Sequence, residues 1–434
     1  MRGTHPRTKR YISQLKHTVV LKFLSILFTF LAVPATIDLV GTYTFGVWAT
    51  IQSVISWIIF FDFGLANGLR NEVAKQYSKG NTSAAAKNIF AGYIAISLIA
   101  IPLCLLGTFL TLVIPLNSLF NAESIDSDRL RISVLATVVF VTANFILGIV
   151  NCLFSAIQQS DKLSLGQSIS TGIYLVLIYH FQGRGQITID TLAYIQGFSL
   201  LLGNAVLTLI FYWHHPSLRP ALCMDSALIR RLITTGLDFF WLQLGTLVLY
   251  SSSRLIITHV SGPNSVTQFD LVFKLFTIPT FIFSLLHAPL WSAYTDAWHN
   301  NDAIWIRRTM RLSLAVFSVA TLVAIGLALF STPILRLWVG SRAEIDTGLV
   351  AAMALYCCIS LWLNIFGTFL NGIGETRTQV ACAIIAMSVN IPLAIFLGTM
   401  LGPTGAVLAT SLSLLYSAIV LPIVSRKTIF RGSE

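Results

Sequence analysis

The sequence predicts an all-α polytopic membrane protein, with about twelve transmembrane helices in two pseudo-symmetric six-helix bundles around a central cavity. Three observations carry this expectation. Of the 434 residues, 55% are hydrophobic and only 10% are charged, where globular domains carry roughly 25% charged residues. The apolar residues fall into runs long enough to span a bilayer, which takes about 20 residues each. The two halves of the chain also repeat one another. With twelve spans accounted for, what remains is enough for short loops only. That excludes a large soluble catalytic domain, a Rossmann or P-loop cassette, and a large ectodomain.

Taken in order, the predicted spans cover residues 18–40, 45–63, 88–114, 132–153, 163–181, 191–213, 237–260, 271–292, 311–335, 347–370, 380–400 and 404–425. The first follows a basic stretch (Arg2, Arg7, Lys9, Arg10, Lys16) that also resembles a signal peptide. Its apolar run exceeds the 7–15 residues usual for a signal core, so it is read as a retained span. The spans group into an N-terminal bundle (1–215), a cytoplasmic linker (216–236) and a C-terminal bundle (237–434).

Orientation follows from Lys and Arg. The outward loops hold Arg129, Arg131, Arg184, Arg336 and Arg342, and most of the 28 basic residues fall in inward loops and tails. The positive-inside rule therefore puts both termini in the cytoplasm. The formal net charge of +11 is read as this topology signal, not as a sign of nucleic-acid binding.

The repeat is visible in short segments. Gly41-Thr-Tyr-Thr-Phe-Gly-Val-Trp48 answers to Gly262-Pro-Asn-Ser-Val-Thr-Gln-Phe269, each opening the second span of its half. Lys79-Gly-Asn81 answers to His299-Asn-Asn301, Lys87 to Arg307, Phe154 to Phe369 and Lys162 to Arg377. Six spans per half is an even number, so the halves share one orientation, as in transporters built from parallel repeats. Each half also carries an amphipathic stretch after its second span. Leu65, Leu69, Val73 and Tyr77 recur every four residues, as do Leu290, Tyr294 and Trp298. These two stretches are expected to lie flat at the cytoplasmic interface, basic side toward anionic headgroups.

Enzyme chemistry is sparse. There is no Gly-Lys dipeptide, hence no Walker A loop, and neither HExxH nor GxSxG occurs. Asp126-Ser-Asp128 has the form of a metal-binding DxD, but it sits in a short outward loop with no nucleotide fold around it. Asn81-Thr-Ser83 fits a glycosylation sequon on the wrong side of the membrane. Cys104, Cys152, Cys357, Cys358 and Cys382 fall in or beside apolar spans, Cys223 falls in a loop, and none shows CxxC spacing. No cofactor, metal or catalytic residue is expected.

Charges inside the spans are more informative, because a basic group at a helix centre costs about 2.5–3.5 kcal/mol on insertion scales and therefore faces protein or water. Three basic residues map to spans: Lys22, Arg254 and Lys274. They are the candidate cavity residues for an anionic, pyrophosphate-bearing ligand, which Arg and Lys recognise well. His287, Asp38 and Asp270 are candidates for coupling or headgroup contact. Asp238 falls at another span end, and Asp270–Lys274 has the i,i+4 spacing of a helical ion pair. Pro34, Pro279 and Pro289 interrupt the first and eighth spans, where kinks would let bundles rock.

The segment Phe61-Asp-Phe-Gly-Leu-Ala-Asn-Gly-Leu-Arg-Asn-Glu-Val-Ala-Lys-Gln-Tyr-Ser-Lys-Gly-Asn81 resembles the signature after the second helix of the polysaccharide-transport family (Wzx-type O-antigen flippases) of the multidrug/oligosaccharidyl-lipid/polysaccharide exporter superfamily. Within it, Asp62, Gly64, Asn67, Gly68, Arg70 and Asn71 are the motif positions. The resemblance implies a bacterial inner-membrane protein that flips an undecaprenyl-pyrophosphate-linked oligosaccharide to the periplasmic leaflet. Its partners would be that substrate and membrane lipids, with other polysaccharide-assembly proteins as candidates. The family's cavity is described as cationic, but no motif fixes its residues. Two other functions share parts of the pattern. A drug or cation antiporter would use the same fold with intramembrane acids in excess, and a membrane-embedded polymerase or ligase would need a larger outward loop.

Overall fold

The computed structural model describes residues 6–57, 65–159, 161–222, 229–230, 252–287, 290–340, 346–375 and 377–431. Among them regular structure is helical, in two compact units, Met1–Gln243 and Leu244–Glu434.

Unit 1 begins with α1 (Pro6–Ile55), broken at Gly41, where φ is 79° and ψ 162°. Its apolar part, His17–Ile55, has 39 residues and would run about 58 Å if straight, nearly twice a bilayer's hydrocarbon core of about 30 Å. Only a residue without Cβ takes that φ cheaply, so Gly41 divides the run where one pass ends. There follow α2 (Leu65–Ser78), α3 (Thr82–Val113) and the single turn α4 (Leu116–Leu119). Next come α5 (Ser127–Leu147) and its continuation α6 (Ile149–Ala156). The unit's last long helices are α7 (Asp161–Phe181) and α8 (Ile189–His214). A 3-10 turn at Pro216–Leu218 closes them, with Leu218 fully buried, so the expected linker starts packed against its bundle.

Unit 2 opens, within the described residues, on helical positions 252–261. Then come α9 (Pro263–His287), α10 (Leu290–His299), α11 (Ala303–Leu329), α12 (Ser331–Val339) and α13 (Thr347–Gly372). The last is α14 (Arg377–Arg431), broken at Gly402 with φ 60°. Asp346 caps α13 through the Gly348 and Leu349 amides and accepts from the Thr404 hydroxyl at 2.7 Å. These bonds, the hydroxyl first, hold its carboxyl below the ordinary carboxylate range.

Among the described residues, eight helical runs are long and apolar enough to cross a membrane, and two of them, broken at Gly41 and Gly402, have the length of two passes. Most of the expected seventh span lies outside the described residues. The outer faces of these helices are apolar: Leu105, Phe109, Leu322 and Leu329 are each at least 60% exposed. A water-soluble monomer does not present such continuous apolar surface. Hydrocarbon is the matching solvent.

The repeat holds at the level of single backbone bonds, one residue later than the sequence match suggests: Gly80 and Asn81 answer to Asn301 and Asp302 rather than to Asn300 and Asn301. Gly41 and Gly262 share φ values of 79° and 80°. Asn81 caps α3 by accepting from the Ala84 amide, and Asp302 caps α11 by accepting from the Trp305 amide. The turns before them match too, with Gly80 and Asn301 both left-handed and amide bonds from Asn81 to the Gln76 carbonyl and from Asp302 to the Ala297 carbonyl. The carbonyls of Phe154 and Leu370 likewise accept the amides of Gln159 and Glu375, so Phe154 answers to Leu370 rather than to Phe369.

Several expectations need correction. The stripe of α2 is not spent on lipid: Leu65, Leu69 and Val73 are fully buried in a cluster with Ile89, Val150, Leu153, Phe154, Leu207 and Phe211. Only Tyr77 stays exposed. Likewise Tyr294 of α10 is buried, and Thr295 donates to the Gly372 carbonyl at 2.7 Å. Both short helices pack their apolar side on their own bundle. Helices also begin earlier than hydropathy suggests, because capped polar first turns carry no apolar signal. The α3 and α11 helices start at residues 82 and 303, where 88 and 311 were expected. Asp126 is the cap of α5, bonding the Arg129 amide at 3.0 Å, which accounts for one acid of the DxD pattern.

Candidate functional site

The eighth predicted span was placed at 271–292, leaving Asp270 at its edge. In the structure α9 starts at Pro263, so Asp270 lies in its third turn and is 3% exposed. A carboxylate this deep needs partners. It has two. Lys274, one turn on, places its Nζ on Asp270 Oδ2. Arg254, from the neighbouring helical segment 252–261, brings Nη2 to 2.7 Å and Nε to 3.2 Å of Asp270 Oδ1. The group therefore holds two cations and one anion.

Arg254 is also held from its faces. Phe269 and Phe273, one turn apart on α9, stack at 5.8 Å. The guanidinium carbon sits 5.6 Å and 5.5 Å from their ring centroids, a range in which ring quadrupoles attract a cation. The same two rings line a small pocket of about 20 Å³ with Ser253, Met353, Tyr356, Val407 and Thr410. Its wall is thus aromatic and aliphatic with three hydroxyls, and Arg254 lies against two of its lining rings. About a fifth of the Arg254 and Lys274 side chains remains accessible, against 4% for Asp270. The cations, not the acid, are presented.

This revises one expectation and extends another. The i,i+4 pair Asp270–Lys274 is present as its spacing implied. Arg254, read from the sequence as uncompensated, shares the same carboxylate, a contact between helices that local spacing cannot reveal. Phe269 and Phe273 were missed, although they form a second i,i+4 pair interleaved with Asp270 and Lys274. Lys22 belongs to unit 1, half-buried on α1. The adjacent Leu21 carbonyl accepts from Ser168 of α7 at 2.6 Å. Asp38 is exposed on α1, three residues before the Gly41 break. His287 is buried at the end of α9, stacked on Phe283 at 3.8 Å, with Nδ1 3.2 Å from the Phe283 carbonyl. Of the motif positions, Gly68 is buried and Arg70 and Asn71 are exposed on α2. Asp62, Gly64, the Asn67 side chain, Asp238 and Pro289 lie outside the described residues.

Unit 1 holds a polar chain that the sequence reading did not single out. Asn204 of α8 donates to Asn144 of α5 at 2.8 Å and accepts from Asn151 of α6 at 3.3 Å. Such amide bridges fix neighbouring helices where lipid offers no hydrophobic drive to associate.

The profile of the family described as polysaccharide biosynthesis protein matches residues 17–289. A putative O-antigen export protein of Yersinia pseudotuberculosis is 21% identical over 366 residues, which is 82% of either chain. An inward-facing multidrug resistance MATE family transporter of the MOP superfamily superposes with a TM-score of 0.76. It is 14% identical, over 96% of this chain and 98% of the other. The lipid II flippase MurJ, inward closed, superposes with a TM-score of 0.74 and 16% identity, over 97% and 90%. At these identities the solved structures establish fold. The relatives are transporters and exporters rather than enzymes, and the fold is that of a polytopic membrane transporter.

Proposed function

The chain belongs to the polysaccharide biosynthesis protein family, and from that premise we propose that it is a flippase for a lipid-linked oligosaccharide. In this reading an undecaprenyl-pyrophosphate-linked repeat unit, an O-antigen unit or similar, passes from the inner to the outer leaflet of the bacterial inner membrane by alternating access. Both termini lie in the cytoplasm. The polyprenyl tail stays in lipid while the diphosphate and sugars travel along the protein.

The observation that carries the reading is the Arg254–Asp270–Lys274 group, with more positive than negative charge and its cations more exposed than its acid. A diphosphate can approach the open side of Arg254 and Lys274 while Asp270 holds both in place. A cationic cargo would meet the wrong sign. Lys22, on the first helix, is assigned to the inner-leaflet stage of headgroup capture.

The test is Arg254→Gln in cells whose own flippase gene is deleted. Surface glycan display should fall below detection while protein level stays normal, and the lipid-linked unit should accumulate on the inner leaflet. Normal display in this variant would remove Arg254 from the transport path.

A further inference from the structure

Unit 1 carries a second basic site, at the end that the charge distribution predicts to face the cytoplasm. Two hollows adjoin there and share Gln159. The larger, of about 520 Å³, lies between the end of α2 (Lys75, Tyr77, Ser78) and the turn after α6 (Gln158). The smaller, of about 250 Å³, is bounded by Lys162 at the start of α7 and by His214 and His215 at the end of α8. Neither is lined by an Asp or Glu.

The lining offers donors in two side-chain amides and two ammonium groups, Lys75 at the larger hollow and Lys162 at the smaller. His214 Nδ1 donates to the Ile210 carbonyl at 2.9 Å, which fixes the ring beside the smaller hollow. His215 packs against Phe211 at 5.3 Å. Burial, then the neighbouring His214, pushes its imidazole below the ordinary value, so at neutral pH it is an uncharged hydrogen-bonding group.

The internal repeat supplies a control. The turn after α6 recurs after α13, with amide bonds from Gln159 to the Phe154 carbonyl and from Glu375 to the Leu370 carbonyl. Its left-handed position is Gln158 (φ 59°) in the first half and Gly374 (φ 79°) in the second. Glycine takes that conformation without strain and glutamine does not, so unit 1 retains an amide side chain at a cost. In the register of that turn Gln159 becomes Glu375 and Lys162 becomes Thr378, and in the register of the capped turns Lys75 becomes Asp296. Tyr77 becomes Trp298, which lines a hollow of about 10 Å³ with Asn301, Ala303, Ile306 and Ile429 and no charged group. One turn geometry thus supports a basic, open cleft in unit 1, while in unit 2 acids stand at the places of Lys75 and Gln159. The repeat fixes the backbone. It does not account for the charge.

We propose that the Lys75–Gln158–Gln159–Lys162–His214 cleft binds a phosphate-bearing anion, with room and donors for a diphosphate. The anion can be a lipid headgroup presented from the membrane or a free diphosphate from solution. The site belongs to unit 1 and needs nothing from Arg254.

The experiment uses the full chain in phosphatidylcholine nanodiscs with two probes, inorganic pyrophosphate by calorimetry and farnesyl diphosphate in the bilayer by native mass spectrometry. Loss of two charge-assisted contacts in Lys75→Gln/Lys162→Gln should weaken binding of the bound probe by about tenfold or more. Lys75→Arg/Lys162→Arg should restore it, which separates lost charge from misfolding. The loss caused by the double Gln variant should be the same size in an Arg254→Gln background, which lacks the contact proposed in unit 2, so a failure of the flippase reading and a failure of this one give different results. Binding of pyrophosphate assigns the site to soluble anions as well; retention of farnesyl diphosphate alone assigns it to headgroups. If the wild-type chain binds neither probe, or the double Gln variant binds as the wild type does, the cleft is not an anion site.

Discussion

Asp270 is the residue on which the cationic group depends. Its carboxylate serves Arg254 with one oxygen and Lys274 with the other, so its removal leaves two cations facing each other with little water. Breaking a buried pair by deleting one partner costs about 3–5 kcal/mol. Asp270→Asn should therefore lower the thermal midpoint of the detergent-solubilised protein more than either Arg254→Gln or Lys274→Met does. Adding Lys274→Met to Asp270→Asn should recover much of the loss, since one unpaired cation goes with it. A double-mutant cycle showing additive losses would mean that the two charges do not interact. The site was half legible in the sequence for this reason. Lys274 sits one helical turn from Asp270, and that spacing can be read directly. Arg254 reaches the same carboxylate from another helix, and no local pattern encodes that approach.

Each half seats its short amphipathic helix against a glycine, but the two seats differ in compliance. A Cβ on Gly92 of α3 would meet Leu69 Cδ2 at 2.4 Å, the tip of a side chain that can rotate away. One on Gly372 of α13 would lie 2.8 Å from Tyr294 Cβ and 2.9 Å from the Trp291 carbonyl, neither of which can yield without moving α10. Overpacking of a tight contact typically costs about 1–3 kcal/mol. Gly372→Ala should thus destabilise more than Gly92→Ala, as read by thermal unfolding of the purified protein; equal losses would mean that α10 shifts as freely as a leucine rotates. Elements of this kind were visible as four-residue periodicity in the sequence, while their partners were not. A stripe of Leu65, Leu69 and Val73 is the same pattern whether it faces acyl chains or a helix bundle. Only packing distinguishes the two, and here the bundle takes it. Spans were legible at their apolar centres and misplaced at their capped ends, where Asn81 and Asp302 begin helices with polar turns.

At the scale of the whole molecule, repetition and charge point in different directions. The backbone repeats down to matched caps and left-handed turns, while the cationic clusters do not: Arg254 and Lys274 lie in unit 2, and the Lys75–Lys162 cleft lies in unit 1. A transporter that carries an anionic headgroup outward across an inside-negative membrane works with the field. A dianion crossing the full potential gains about 4–5 kcal/mol per 100 mV, comparable to what a coupled ion would supply. On the flippase reading, translocation of a lipid-linked substrate in proteoliposomes should quicken when valinomycin and a potassium gradient set the donor side negative. A pH gradient imposed with equal potassium on both sides and valinomycin present, so that the potential is zero, should not quicken it. The opposite outcome, rates that follow the pH gradient and ignore the potential, would put a proton carrier in the cycle. The buried groups then to be tested first are Asp270 and His287, each through its effect on the pH dependence of flipping.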